Sequence, residues 1–224
     1  MSEAFNGFSS DGLELLTQLG SEDKAWFDEH RPEYQNEVAQ PAKDFVVALT
    51  EALHGEISEG IVGQPKVNGS ISPINNDLRF NPDASPYKDH LMFRFWEGPD
   101  KKTAPMLMIR MGESDTGFAT AMGFPSVDRW REAVAGSEGE ELEAALKGLA
   151  KGRKLDVVGA ELKKVPKPYD PDHPRADLLR HKGLQARWSE PTPKSVSSPK
   201  FVDWCAKRLG ACADVHNWLV ANLS

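Results

Sequence analysis

The sequence predicts an α+β fold with a central, mainly antiparallel sheet, N-terminal helices, helices packed on one face and a C-terminal helical arm. Three observations predict it. Residues 1–60 carry apolar side chains at helical spacing between helix-start and helix-stop residues. Residues 91–123 hold three apolar runs of strand length, and their short links favour antiparallel pairing because parallel strands need long crossovers. Residues 200–224 return to helical spacing.

The N-terminal segment predicts a series of helices. Ser9–Asp11 is a helix-start cluster, and Gly20 ends that helix. Ser21–Asp23 starts the next helix, with acids in its first turn as the helix dipole favours. Pro32 suits the first turn of a third helix, and Pro41 breaks or restarts it. A final apolar stripe with a glycine stop consists of Phe45, Val46, Leu49, Leu53 and Gly55.

The sheet is predicted from four runs. Residues 66–71 form a short strand, and residues 91–96 and 106–111 are apolar runs with a hairpin tip at 100–102 between them. Residues 116–123 give a further strand of small side chains. These runs imply a sheet of about four to six strands, a common size.

The second half of the chain adds shorter elements. The sequence predicts, in order, a helix capped at 124–126, a helix over 137–149, one or two strands within 155–162, an extended loop over 163–174, a short helix over 175–181, an edge strand over 184–188, a linker over 190–199 and terminal helices from Phe201. We expect a single domain over residues 1–224. Its segments are an acidic helical part (1–60), a part with sheet and helices (61–165), Pro-rich loops (166–199) and a C-terminal helical arm (200–224).

Composition limits the class of protein. The 224 residues include six Trp and ten Phe, enough for a sizeable core. No apolar run approaches the ~20 residues that span a bilayer, and the first residues lack the basic and apolar regions of a signal peptide. We therefore expect a cytoplasmic protein. The net charge of −7 argues against nucleic acid as a partner.

Charge is unevenly distributed. Residues 1–60 hold 13 acids and 3 bases, a net charge of −10, whereas residues 147–200 hold 13 bases and 6 acids, a net charge of +7. Two interpretations are open: the acidic helices dock on the basic half, or the basic half presents a positively charged face to phosphates. The first interpretation is favoured.

Polar chemistry and stiff backbone coincide in residues 79–88. Pro82 and Pro86 predict two successive turns, at 81–83 and 85–87. The candidate ligand-binding residues are two cations, a carboxylate and two hydroxyls: Arg79, Lys88, Asp83, Ser85 and Tyr87. A guanidinium fork and an ammonium suit a carboxylate or phosphate, with Asp83 orienting the cations. The alternative is a structural Arg79–Asp83 ion pair with Tyr87 in the core.

Two strand arginines are secondary candidates. Arg94 is predicted on the face of Met92 and Trp96, and Arg110 on the face of Met106 and Met108. They frame an anion pocket beside Arg79, or they mark the solvated face of the sheet.

The sequence Arg-Phe-x-x-Asp-x-Ser-Pro-Tyr-Lys at 79–88 resembles the signature of a family of conserved hypothetical proteins of bacteria and fungi, a domain of unknown function. Three other segments, 5–8, 26–34 and 172–179, resemble the same family. His30 stands where the family has Asn, Asn76 where it has Arg and Ala84 where it has Lys; the last two departures weaken an anion site. The resemblance implies no activity.

Other chemistry has little support. The cluster of Asp170, Asp172, His173, Asp177 and His181 lacks a metal spacing, so no metal and no cofactor are predicted. No nucleophile elbow or glycine-rich nucleotide loop occurs, and whether the protein is an enzyme stays open. Cys205 and Cys212 are predicted core thiols.

Two functions follow. The first is binding of a small anionic ligand, phosphorylated ones included, through residues 79–88. The second is a non-catalytic module for protein–protein interaction, in which that loop is structural and the protein partner is undetermined.

Overall fold

Local capping residues set where several helices begin. In the computed structural model, which describes residues 4–79 and 83–224, the side chain of Ser9 accepts from the amide of Gly12 at 3.0 Å. Asp23 accepts from the amide of Trp26 at 2.9 Å, and Ser126 caps a later helix. Such caps satisfy amides that have no partner within the helix. The predicted starts at Ser9–Asp11, Ser21–Asp23 and 124–126 are therefore confirmed. The acids expected in the first turn of the second helix instead precede it, because that helix begins at Lys24 with Asp23 as its cap.

Within the described residues, helices come before, between and after the strands along the chain. Their bounds are α1 Ser10–Leu19, α2 Lys24–Glu29, α3 Arg31–Tyr34, α4 Gln40–Glu56, α5 Val127–Ala135, α6 Glu138–Ala150, α7 Ala176–Leu179, α8 Lys200–Gly210 and α9 Ala213–Leu223. A π-helical turn over Gln35–Ala39 joins α3 to α4, so the chain stays helical through Pro41, which lies in the first turn of α4. A 3₁₀ turn covers Lys194–Ser197.

The strands form one six-stranded antiparallel sheet, which confirms the α+β class. They are β1 Ile61–Val62, β2 Leu91–Glu97, β3 Met106–Met111, β4 Asp115–Gly123, β5 Asp156–Val158 and β6 Gly183–Pro191. Their order is β1-β2-β3-β4-β6-β5.

Two strand predictions are wrong. The run at 184–188 was expected at an edge, but β6 lies between β4 and β5, which takes the edge. Residues 66–71 form no strand: Val67 and Ile71 bridge each other across a tight turn, and Asn68 has a positive φ of 61° there. Apolar alternation too short to span a strand is easily confused with a turn that has apolar ends.

The chain forms two compact units. The first contains the described residues up to Phe95, with Met108–Gly117 and Ser189–Arg208. Its core is a group of phenylalanines around Phe45, which is fully buried. The Phe45 ring lies 5.0 Å from that of Phe93 and 5.4 Å from that of Phe201. Burying each such side chain stabilises the fold by about 1.5–3 kcal/mol, so α4, β2 and α8 are held together here.

The second unit contains Trp96–Leu107, Phe118–Trp188 and Leu209–Ser224. Its core is built on Trp130, which stacks on Phe124 at 4.2 Å and donates its indole N–H to the carbonyl of Leu178 at 2.9 Å. Trp218 of α9 donates to the carbonyl of Glu138 at 2.7 Å. Both buried indoles thus have partners, as buried polar groups require.

Arg175 closes the end of α5 in this unit. The side chain is buried, and its Nε donates to the carbonyl of Val134 at 2.7 Å. Its Nη2 donates to the carbonyls of Ala135 and Gly136, at 3.3 and 3.1 Å. One guanidinium therefore satisfies three carbonyls that a helix end leaves without partners.

No helix within the described residues combines the length and the apolar character needed to cross a membrane. The single-domain organisation and the cytoplasmic location stay predictions.

Candidate functional site

Arg79 and residues 83–88 lie at the tip and on the returning arm of an antiparallel hairpin that leads into β2. Ile71 bridges Phe93, and Asn75 bridges Tyr87. The amide of Ser72 donates to the carbonyl of Met92, and the amide of Lys88 donates to that of Ile74, each at 2.9 Å. Residues 70–76 therefore pair with residues 86–94. The predicted turn at 81–83 involves Asn81 and Pro82, which lie outside the described residues.

The pairing slips in the middle of the hairpin. Ser72 faces Met92 and Ile74 faces Lys88, so the single residue Pro73 stands opposite the three residues 89–91. Proline has no amide proton to donate, which explains why the ladder breaks there. The returning arm consequently bulges at residues 89–91, and a bulge re-aims the side chains that it carries.

Lys88 enters this bulge. Its Nζ donates to the carbonyl of Pro73 at 2.6 Å and also to the carbonyl of Asn75. The side chain is half-buried, and this burial lowers its pKa. Both acceptors are neutral, so the hydrogen bonds hold the ammonium without cancelling its charge.

Arg94 lies beyond the bulge, on β2. It is half-buried between the buried Phe93 and Phe95, as the predicted alternation requires. Its Nη2 donates to Oγ of Ser72 at 3.1 Å. Ser72 and Pro73, which hold the two cations, are consecutive, with Cα atoms about 3.8 Å apart. Among the described residues, neither Lys88 nor Arg94 has a carboxylate partner.

Arg79 and Asp83 are placed differently from the expectation. Arg79 forms a two-pronged ion pair with Asp77, at 2.8 and 2.6 Å, and its side chain is 80% exposed. That hydrogen bond lowers the pKa of Asp77. Asp83 is exposed. The carboxylate that orients Arg79 is therefore two residues before it.

Ser85 and Asn76 close the hairpin. Oγ of Ser85 accepts from the amide of Tyr87 at 3.3 Å, as serine does in turns. Nδ2 of Asn76 donates to the carbonyls of Ser85 and Tyr87, both at 2.9 Å. Asn76, which stands where the family has a cation, thus bonds the two arms together.

Tyr87 belongs to an aromatic cluster that fixes the returning arm. It is buried with Leu19 and Phe27, and Trp26, Tyr34 and Ile74 pack against them. The rings of Phe27 and Tyr87 lie 4.7 Å apart, and those of Phe27 and Tyr34 5.3 Å. Burial raises the pKa of Tyr87 and raises the pKa of Tyr34 to about 12. Tyr87 therefore positions Lys88, the next residue.

Arg110, the other candidate cation on a strand, has two carboxylates near it. Its Nη1 lies 3.0 Å from Oδ1 of Asp115, and its Nη2 lies 3.7 Å from Oδ1 of Asp89. Asp89 in turn lies 2.6 Å from Nδ1 of His90, and this hydrogen bond is the main reason that the pKa of Asp89 is lowered. From the sequence, His90 is only the histidine nearest to Ser85 and Asp89 has no assigned role; the adjacent Asp-His pair directly after Lys88 is the signal that could have indicated both.

The Asp/His-rich segment of the second unit makes structural contacts. Asp177 pairs with Arg180 at 3.1 Å, and Nδ1 of His173 accepts from the amide of Arg175 at 3.0 Å. His181 is buried. Within residues 4–79 and 83–224, no group of three or more His, Cys, Asp or Glu side chains is arranged to hold a metal ion.

Comparison with known families decides the relationship. A family described as conserved hypothetical protein, DUF2461, matches residues 12–218. The chain belongs to this family. The match covers most of the DUF2461 chain, including the hairpin and the aromatic cluster, so the resemblance seen in the sequence is confirmed at the level of the family. The signature motif and the range across bacteria and fungi stay predictions. No curated protein and no solved structure matches the chain.

Proposed function

We propose that this DUF2461 protein binds a small anionic ligand at the bulged hairpin, with Lys88 and Arg94 holding the anion. The observation that supports this most is that, within residues 4–79 and 83–224, these two half-buried cations bond to neutral oxygens and to no carboxylate. Withdrawing two positive charges from water is costly unless a counter-charge is present. A phosphate or carboxylate group supplies that counter-charge and accepts the donors that Arg94 still has.

The other candidate residues take supporting roles in this proposal. Arg79 stands at the exposed tip, but Asp77 already matches its charge, so it contributes less to binding than Lys88 and Arg94. Ser85 and Tyr87 hold the returning arm, and Asp83 lies at the tip. The charge of Arg110 is matched by Asp89 and Asp115, so it contributes less to binding.

Titration calorimetry tests the proposal with inorganic phosphate, sulfate, simple carboxylates and nucleotides as probes. We expect at least one phosphate-bearing probe to bind, and Lys88→Met with Arg94→Met to weaken it by tenfold or more. Lys102→Met is the matched control, because Lys102 is an exposed cation outside the hairpin. Equal loss in the control would show a general charge effect, and no binding by the wild-type protein would refute the proposal.

The second candidate, an interaction module, has its own supporting observation. The ion pair of Arg79 with Asp77 and the two bonds of Asn76 satisfy much of the hairpin internally. If the hairpin serves only as structure, substitutions at Lys88 and Arg94 should lower the stability of the protein. No ligand should then shift its melting temperature. Such a result would favour the interaction module, since ligand binding stabilises the native state by mass action.

A further inference from the structure

The bulge places an aspartate–histidine pair directly beside the proposed anion site. Asp89 and His90 are two of the three residues opposite Pro73. Nδ1 of His90 lies 2.6 Å from Oδ1 of Asp89. The Cα atom of His90 is at most about 7 Å from that of Lys88 and about 14 Å from that of Arg94. An oriented imidazole and two cations therefore share one arm of the hairpin.

The hydrogen bond to Asp89 assigns the protons on the ring. A carboxylate accepts, so Nδ1 carries the proton and Nε2 carries the lone pair. His90 keeps 20% of its side chain exposed. Nε2 has no hydrogen-bond partner among the described residues. It is not one of the buried side-chain atoms that lack a partner, so it is accessible to solvent. This nitrogen is free to accept a proton from a bound water.

The other histidines of the chain lack this combination. His30 and His54 bind backbone carbonyls, and His173 accepts a backbone amide. His181 is buried, and His216, which does face a carboxylate, is completely buried. Among the histidines of the described residues, only His90 has a carboxylate close to one ring nitrogen and a second ring nitrogen that is accessible.

Asp89 is itself held in place. Arg110 lies 3.7 Å from its carboxylate. The end of α1 lies against its side chain, because a Cβ atom added to Gly20 would be 2.6 Å from the Cβ of Asp89. A glycine at this close approach lets the helix end pack on the aspartate and limits its movement.

We propose that His90 is the general base for hydrolysis of a phosphate monoester bound by Lys88 and Arg94. This inference rests on the proposed function. Nε2 takes a proton from water as the water oxygen forms a bond to phosphorus, and the ester P–O bond breaks. Because the leaving oxygen departs on the opposite side of phosphorus, the alkoxide takes its proton from solvent and Nε2 returns its proton to solvent. The products are an alcohol and inorganic phosphate, and His90 returns to its starting form. Asp89 is the positioning residue that holds the ring in the tautomer with its lone pair on Nε2 and stabilises the imidazolium formed during the step.

The test combines hydrolysis with binding. Release of p-nitrophenol from p-nitrophenyl phosphate, and release of phosphate from a panel of monoesters, is followed for wild type, His90→Ala, Asp89→Asn and the control His173→Gln. We expect His90→Ala to lower kcat by about 10²- to 10⁴-fold, with little change in the Kd for inorganic phosphate. Added imidazole should restore part of the rate in His90→Ala, a result that a merely structural histidine would not give. Asp89→Asn should lower kcat without weakening phosphate binding, and His173→Gln should behave as wild type.

The outcomes separate the two proposals. If wild type binds phosphate but hydrolyses no monoester, or if His90→Ala keeps full activity, the role of His90 is overturned while anion binding stands. If phosphate does not bind at all, the proposed function fails first. Gly20→Ala adds a check on the positioning of Asp89: a loss of kcat at unchanged phosphate Kd supports it, and an unchanged kcat contradicts it.

Discussion

Replacing Asn76 by aspartate tests how the hairpin is closed. Nδ2 of Asn76 donates to the carbonyls of Ser85 and Tyr87, each at 2.9 Å. Asn76→Asp keeps the side-chain shape but replaces both donors by an anionic oxygen that faces two carbonyl oxygens. Each lost bond costs about 0.5–1.5 kcal/mol. We therefore expect a loss of about 1–3 kcal/mol in the free energy of unfolding, increased further by repulsion at neutral pH.

Urea unfolding measures this loss, and amide exchange locates it. The amides of Asn76 and Lys88 bond across the hairpin to Pro86 and Ile74, so both should exchange faster. Asn75→Asp is the matched control, because it makes the same chemical change at an exposed neighbour. A difference between the two variants below about 0.5 kcal/mol, the usual range for surface substitutions, would refute the role of the Asn76 amide.

Three further predictions concern buried groups. Burial lowers the pKa of His216, so the unfolded chain takes up the proton first and stability should fall as pH drops from about 7 to about 5; denaturation curves of His216→Gln should lose part of this slope, and an unchanged slope would contradict the assignment. Burial raises the thiol pKa of Cys205, and that of Cys212 to about 12, so mass spectrometry should find iodoacetamide adducts only after denaturant is added; adducts on the native protein would disprove that burial. Trp218→Phe removes the bond to the carbonyl of Glu138 and should cost about 1–3 kcal/mol in urea unfolding; a neutral result would show that water replaces the indole.

The predictable parts of the fold depend on neighbours in sequence. The side chains of Ser9 and Asp23 bond amides three residues later in the chain, so their residue types alone predict where the helices begin. The hairpin of 70–76 with 86–94 pairs residues up to about two dozen positions apart in the sequence. The position of β6 inside the sheet likewise depends on its partner β5, a long-range choice that periodicity does not encode.

The candidate site shows the same division. Cation chemistry at Lys88 and Arg94 was predictable from residue type, and the half-burial of Arg94 from strand alternation. The choice of Asp77 over Asp83 as partner of Arg79 depends on the shape of the tip. The position of His90 beside the proposed site depends on a bulge opposite Pro73, which lies more than fifteen residues earlier in the chain. No local pattern places a proline opposite a histidine.

The guanidinium that closes α5 has a consequence for synthesis on the ribosome. Arg175 bonds carbonyls that lie 39 to 41 residues before it. At about 5–20 residues per second, α5 waits about 2–8 seconds after it is made before its end can be capped. During that interval the carbonyls of Val134 and Ala135 lack the hydrogen bonds that Arg175 later donates. The nascent chain thus passes through a stage in which α5 is complete in sequence and incomplete in bonding.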